Sequence, residues 1–201
     1  MNDVPDSTHG EHSFVKELLN YVIQYIRENY PHIQKFKLND KSYIPCDNDD
    51  TTDLLTYSIA LYGKTWYELY YNAYIQNSNI FKQYRAQIQT MNSPEFKKKY
   101  TWEIFCLEFL PPSTNFTKNL FEKNDGLYRD FFESSQTFPE FFRKLNRTID
   151  KKDKCLFYKF WLEQFVSKHV IIHREWYFDA DWKKGGRRMH RTSKMTKRRL
   201  L

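Results

Sequence analysis

Apolar positions recur at helical spacing along most of the chain. From Ser13, the set Phe14, Leu18, Leu19, Val22, Ile23 and Ile26 falls on one face of a helix that Pro31 stops. Alternation of apolar and polar residues in Ile33–Leu38 and again in Ser42–Ile44, around Asn39-Asp40, predicts a small β-hairpin at about residues 35–44. An acidic stretch, Cys46 to Asp53, leads into a helix from about Asp53 to Tyr62 that Gly63 ends. Thr65-Trp-Tyr-Glu68 has the spacing of a capping box, in which the Thr hydroxyl and the Glu carboxylate satisfy free amides reciprocally. That helix is predicted to run to about Ile75.

Further helix starts are expected at Ser78, at Ser93-Pro94-Glu95, near Thr114, near Gly126, at Thr137-Phe-Pro139-Glu140, and at Asp150 or Asp153. The last of these, to about His169, carries Leu156, Phe157, Phe160, Trp161, Phe165 and Val166 on half its circumference, which marks it as central to the core. Val170 to Phe178 reads as a strand or as the end of that helix. The fold class is therefore mainly α: one irregular, aromatic-rich helical domain with a small hairpin. Residues 1–12 are predicted to be disordered, residues 13–182 to form the domain, and residues 183–201 to be a flexible tail.

Composition sharpens this picture. The 201 residues suit a single domain. With 17 Phe and 15 Tyr, burial must come mostly from rings, and only 5 Gly and 7 Pro leave few breaks in helices. The longest aliphatic run, Val170-Ile-Ile172, is far below the roughly 20 apolar residues that span a bilayer. Residues 1–13 lack the apolar core of a secretory signal, so export by that route is not expected. Cys46, Cys106 and Cys155 are odd in number and far apart, which predicts free buried thiols in a reducing compartment.

Charge is distributed unevenly. Residues 183–201 hold nine Lys or Arg and no acid, which leaves residues 1–182 at −2 out of the whole-chain +7. The nine cations are Lys183, Lys184, Arg187, Arg188, Arg191, Lys194, Lys197, Arg198 and Arg199. Lys183-Lys184, twelve residues and then Lys197-Arg-Arg199 resemble a bipartite nuclear-import signal, and the same charges suit sequence-tolerant phosphate contacts. Thr192, Ser193 and Thr196 lie among them, so phosphorylation there would subtract charge. Nucleic acid, an import receptor, or both are the expected partners, and nucleus or virion, with the cytoplasm as the alternative, is the expected setting inside the cell. An adaptor with a helical interaction surface, or an enzyme with a dispersed site, are the other classes this sequence allows.

Other candidates give way to plainer readings. Phe96-Lys-Lys-Lys-Tyr100-Thr-Trp102 and the run from Arg143 to Lys154 interleave cations with rings as single-stranded nucleic acid requires. In a chain so rich in rings, a solvated helix face over the core is favoured. Ser58 to Thr65 ends like a phosphate-binding loop but lacks its first glycine, so Gly63 reads as a helix stop. His169 and His173 have a spacing compatible with metal on one helical face, but without a third ligand both read as structural. The loop at Asp47–Asp53 has Thr52 and Ser58 where a calcium loop needs Gly and Glu. No cofactor or metal is expected, and no catalytic residue.

The segment Leu61-Tyr-Gly-Lys-Thr-Trp-Tyr-Glu68 resembles one found in uncharacterised proteins of large cytoplasmic and nuclear DNA viruses, as does the richness in Asn, Lys, Tyr and Phe. The likeness covers residues 53–73. It implies a viral or host-nucleus setting and transfers no activity.

Overall fold

The computed structural model describes residues 11–46, 51–109, 115–150 and 153–180, with side chains placed from residue 16 onward and, after the gap at 110–114, from residue 124. The architecture is mainly helical around an aromatic core, with two small antiparallel pairs of strands. Helix α1 spans Glu11–Asn29, so the expected N-terminal disorder is replaced by helix at residues 11 and 12, and residues 1–10 lie outside the described part.

Strand β1 (Lys35–Asn39) does not fold back on the residues that follow it, as the alternation suggested. It pairs antiparallel with β4 (Glu175–Asp179), setting Phe36 opposite Phe178 and Leu38 opposite Trp176. The distant partner wins because this register drives Trp176 and Phe178, 0% and 1% exposed, into the core, a gain that a local hairpin with the exposed Tyr43 does not offer. A small hairpin does form, one step later: β2 (Tyr43–Pro45) pairs with β3 (Thr51–Asp53).

Asp53 caps α2 (Leu54–Tyr62) by accepting the Leu55 amide at 3.0 Å. Gly63 ends α2 in the left-handed region, at φ 66°. A Cβ there would also stand 2.4 Å from Asn92 Nδ2 and push that side chain aside, but it is the left-handed backbone that calls for glycine. Thr65 then opens α3 (Trp66–Tyr71) with the expected capping box, although α3 stops before Ile75 at Asn72, itself left-handed. The Glu68 carboxylate accepts from the Thr65 amide at 2.9 Å, from the Tyr84 hydroxyl at 3.0 Å and from Arg85 Nη1 at 2.9 Å. It thereby ties α3 to α4 (Ser78–Met91). The segment that carries the viral resemblance is in this fold a helix stop, a cap and a buried anchor.

Two helical boundaries differ from expectation. The chain after Ser93 breaks into α5 (Pro94–Lys97) and α6 (Trp102–Phe109). Conversely α7 (Asn115–Glu133) runs through Gly126, where a Cβ would meet nothing within 4 Å. Helix α8 (Phe138–Thr148) begins at the Thr137 cap with Pro139 in its first turn, as its sequence requires. The central C-terminal helix comprises α9 (Lys154–Phe157), a π-helical segment (Tyr158–Glu163) and α10 (Gln164–His169).

Phe105 of α6 sits at the middle of the core, fully buried against α7, α8 and the C-terminal helix. Its ring lies 5.7 Å from Phe138, 5.5 Å from Phe141 and 5.5 Å from Trp161, the last two edge to face. Phe138 and Phe165 approach most closely, at 4.4 Å. Among the described residues no helix is long and apolar enough to cross a membrane.

The thiol expectation is corrected. Cys46 and Cys155 are joined in a disulfide, and only Cys106 is free among the cysteines. The sequence separation of 109 residues hid the pairing, because the fold brings the end of β2 against the first turn of α9.

Because so many rings meet at Phe105, Phe105→Ala is expected to lower unfolding free energy by about 3–5 kcal/mol. Chemical denaturation followed by far-UV circular dichroism measures it, and a loss within error of zero would show that this ring is not central.

Candidate functional site

All nine tail cations, Lys183 to Arg199, lie outside the described residues, as do Asp47 to Asp50 of the acidic loop. The described body can therefore be asked what other site it builds. It builds a polar cleft of about 600 Å³ between the β2–β3 hairpin, the end of the π-segment and the approach to β4. Lys41, Ser42, Thr51, Asp53, Glu163, Ser167 and Arg174 line it.

The cleft is held open by its own polar groups. Arg174 donates through Nη2 to Asp53 Oδ2 at 2.8 Å and through Nη1 to the Asp40 carbonyl at 3.3 Å. Glu163 Oε1 accepts the Asp53 amide at 2.6 Å. Asp40, 2% exposed, accepts the Ser42 amide at 2.9 Å and the Ser42 hydroxyl. Burial pushes the Asp40 carboxyl above its ordinary value, with the Ser42 donors pulling the other way. Each of these carboxylates thus has an architectural partner: Asp53 caps a helix, Glu163 fixes the hairpin, and Asp40 fixes a turn. A π-segment at the edge of a polar cleft is a frequent companion of function. Sequence reasoning missed this cleft because its residues come from positions 40–56 and 163–174 without local spacing.

In the basic and aromatic stretches singled out in the sequence, the rings turn inward while Lys98, Lys99 and Arg147 are exposed, and Lys151 and Lys152 lie outside the described residues. Trp102 and Lys97 are buried, Phe96 and Tyr100 are half-buried, and so these rings do not form a stacking platform on the surface. Arg143 Nη1 donates to the Leu61 carbonyl at 2.6 Å, and Lys144 Nζ reaches Ser134 at 3.1 Å and Glu140 at 3.3 Å. Asn146 is held by the hydroxyls of Tyr57 and Tyr158.

The two histidines are not on one helical face, since α10 ends at His169 and His173 lies in extended chain beyond it. His169 packs against Phe96 and Phe165, both at 4.9 Å, and burial lowers its pKa, which keeps the imidazole neutral near pH 7. His173 meets the Tyr84 ring edge on at 6.1 Å. Among the described residues no group of three or more His, Cys, Asp or Glu converges on a point where a metal ion could sit.

Lys97 is the most unusual cation of the body. It is 7% exposed, with its ammonium 3.1 Å from the Phe132 ring centre and 5.6 Å from that of Phe138. The ring faces favour the charged form, but burial prevails and pushes the amine down to about 8, with Glu133 opposing the shift. Comparison of the chain with family models, with curated proteins and with solved structures finds no match.

The Lys97 shift has a pH signature. An amine whose folded pKa lies below its unfolded value binds fewer protons when folded, so its contribution to stability rises with pH between about 8 and the unfolded value near 10.4. Lys97→Met is expected to be more stable than the parent at pH 7, by an amount that shrinks by at least about 1 kcal/mol at pH 9.5. Urea midpoints of both proteins at the two pH values check this, and the comparison cancels the ionisation of the tyrosines. A difference independent of pH would show that Lys97 titrates normally.

Proposed function

We propose that this chain is a nucleic-acid-associated protein of nucleus or virion, without enzymatic activity, in which the C-terminal cations make the phosphate contacts or engage an import receptor. One observation carries the reading: nine cations and no acid in residues 183–201 are attached to a body at −2. Such a charge density releases counterions from nucleic acid in a manner insensitive to sequence. The described body supports this division of labour. Several of its cations are held by its own acceptors, as Arg85 is by Glu68, Arg129 by Glu103 and Arg174 by Asp53. The cleft carboxylates are likewise engaged in building the fold.

Between the two settings, the Cys46–Cys155 disulfide favours a virion, since disulfides persist in oxidising surroundings and are rare in nuclei. A second reading, an adaptor, is favoured by the outer face of α1. Leu18, Tyr21, Val22 and Tyr25 recur there at helical spacing and are 40–68% exposed, the kind of apolar stripe that marks a contact surface.

Full-length protein is expected to bind duplex DNA with a log Kd against log salt slope of magnitude up to about 8, one step of about 0.9 per neutralised phosphate. Deleting residues 183–201 should remove most of that slope and most of the affinity at low salt. Fluorescence anisotropy at several salt concentrations measures both. Equal binding by the truncated protein would transfer the function to the body, and a salt-insensitive complex with another protein would favour the adaptor.

A further inference from the structure

The β2–β3 hairpin forms one wall of the cleft, and a few polar ties centred on Asp53, among them the 2.8 Å pair with Arg174, together with one covalent bond secure it. Each strand has three residues, and an isolated two-stranded pair of this length is marginal in water. On its cleft side the hairpin is tied by the Glu163 carboxylate to the Asp53 amide and by the Leu54 amide to the Ser42 carbonyl at 3.4 Å. At the far end of β2 it is tied covalently, through Cys46 to Cys155 at the start of the helix that holds the π-segment. Both cysteines are half-buried rather than enclosed in the core, so the bond lies toward the outside of the fold. The third cysteine stands apart from this chemistry: burial pushes the half-buried Cys106 thiol up to about 12, which keeps it protonated and slow to exchange.

We propose that Cys46 and Cys155 form a reversible redox clasp that closes the hairpin onto the π-segment and, when reduced by a dithiol, releases it and widens the cleft. The chemistry is thiol–disulfide exchange. A thiolate of the dithiol attacks one cystine sulfur, the S–S bond breaks, and the other sulfur leaves as a thiolate that takes a proton. The second thiol of the reductant then displaces the first protein sulfur. Two electrons and two protons pass to the protein, leaving two cysteine thiols and an oxidised, disulfide-containing reductant.

Release is local because the hairpin contributes little to the aromatic core. Of its described residues only Thr52 is buried, while Tyr43 is 62% exposed and Ile44 packs at the core margin. The rings around Phe105 come from α6, α7, α8 and the C-terminal helix and do not depend on it. On this chemistry the clasp is closed in oxidising surroundings and open in reducing ones, whatever the tail binds.

The test uses the full-length chain equilibrated in buffers of graded reduced-to-oxidised dithiothreitol. Thiols are counted by alkylation in denaturant and mass spectrometry, and hydrogen exchange is followed on the same samples. The clasp predicts one alkylatable cysteine at the oxidised end and three at the reduced end, with the same midpoint approached from either direction. It also predicts exchange at least about tenfold faster on reduction in the amides of Tyr43, Ile44 and Thr51–Asp53, with β1, β4 and the core helices unchanged. The double variant Cys46→Ser/Cys155→Ser should show the fast pattern in every buffer. Three alkylatable cysteines in the fully oxidised sample would overturn the proposal. So would unchanged hairpin exchange on reduction, or loss of protection throughout the chain, which would make the bond a purely structural cross-link.

Discussion

Ring-on-ring packing about Phe105 is the interaction on which the rest of this structure depends. A chain that takes most of its apolar bulk from Phe, Tyr and Trp cannot fill its interior with interchangeable aliphatic side chains, and must instead fit planes to planes and edges to faces. The helices around Phe105 each bring several rings to the same centre. Helix α6 presents Trp102, Phe105 and Phe109, α8 presents Phe138, Phe141 and Phe142, and the C-terminal helix supplies Trp161 and Phe165. The π-segment belongs to the same logic, since it seats Tyr158, Trp161 and Leu162 in the interior while its last residue, Glu163, reaches the hairpin.

How much of this was legible in sequence depended on the range of the signal. Local signals were sound: the Thr65–Glu68 capping box, the Gly63 stop and the Thr137–Pro139 helix start are each set by a few adjacent residues and stand where their chemistry requires. Long-range choices were not legible. The alternation in β1 was visible, but nothing local distinguishes pairing with Tyr43–Pro45 from pairing with Trp176 and Phe178, and burial of two large rings decided it. The disulfide failed in the same way, because cysteines 109 residues apart carry no spacing signal. The polar cleft is another such case, as Glu163 and Arg174 stand 110 and 121 residues from Asp53, which both contact.

The interleaved cations and rings at residues 96–102 show why composition alone misleads. Trp102 and Lys97 are inside, and Lys97 is accommodated by the Phe132 ring face rather than by a ligand. Across the body, carboxylates and cations are used to fasten elements together: Glu68 joins α3 to α4, Arg143 binds the end of α2, and Arg174 joins β4's approach to the α2 cap. With residues 1–182 at −2 in sum, residues 183–201 carry the densest positive charge of the sequence.

The central functional claim is thus that polyanion recognition is separable from the folded body. The most direct measurement is residue-resolved: backbone amide spectra of isotopically labelled full-length protein, recorded with and without a short duplex oligonucleotide at low salt. Shift changes confined to residues after Ala180, with the amides of α1 to β4 unmoved, are the predicted result. Changes centred on the cleft residues Lys41, Ser42, Ser167 and Arg174, with the terminal residues unaffected, would contradict it.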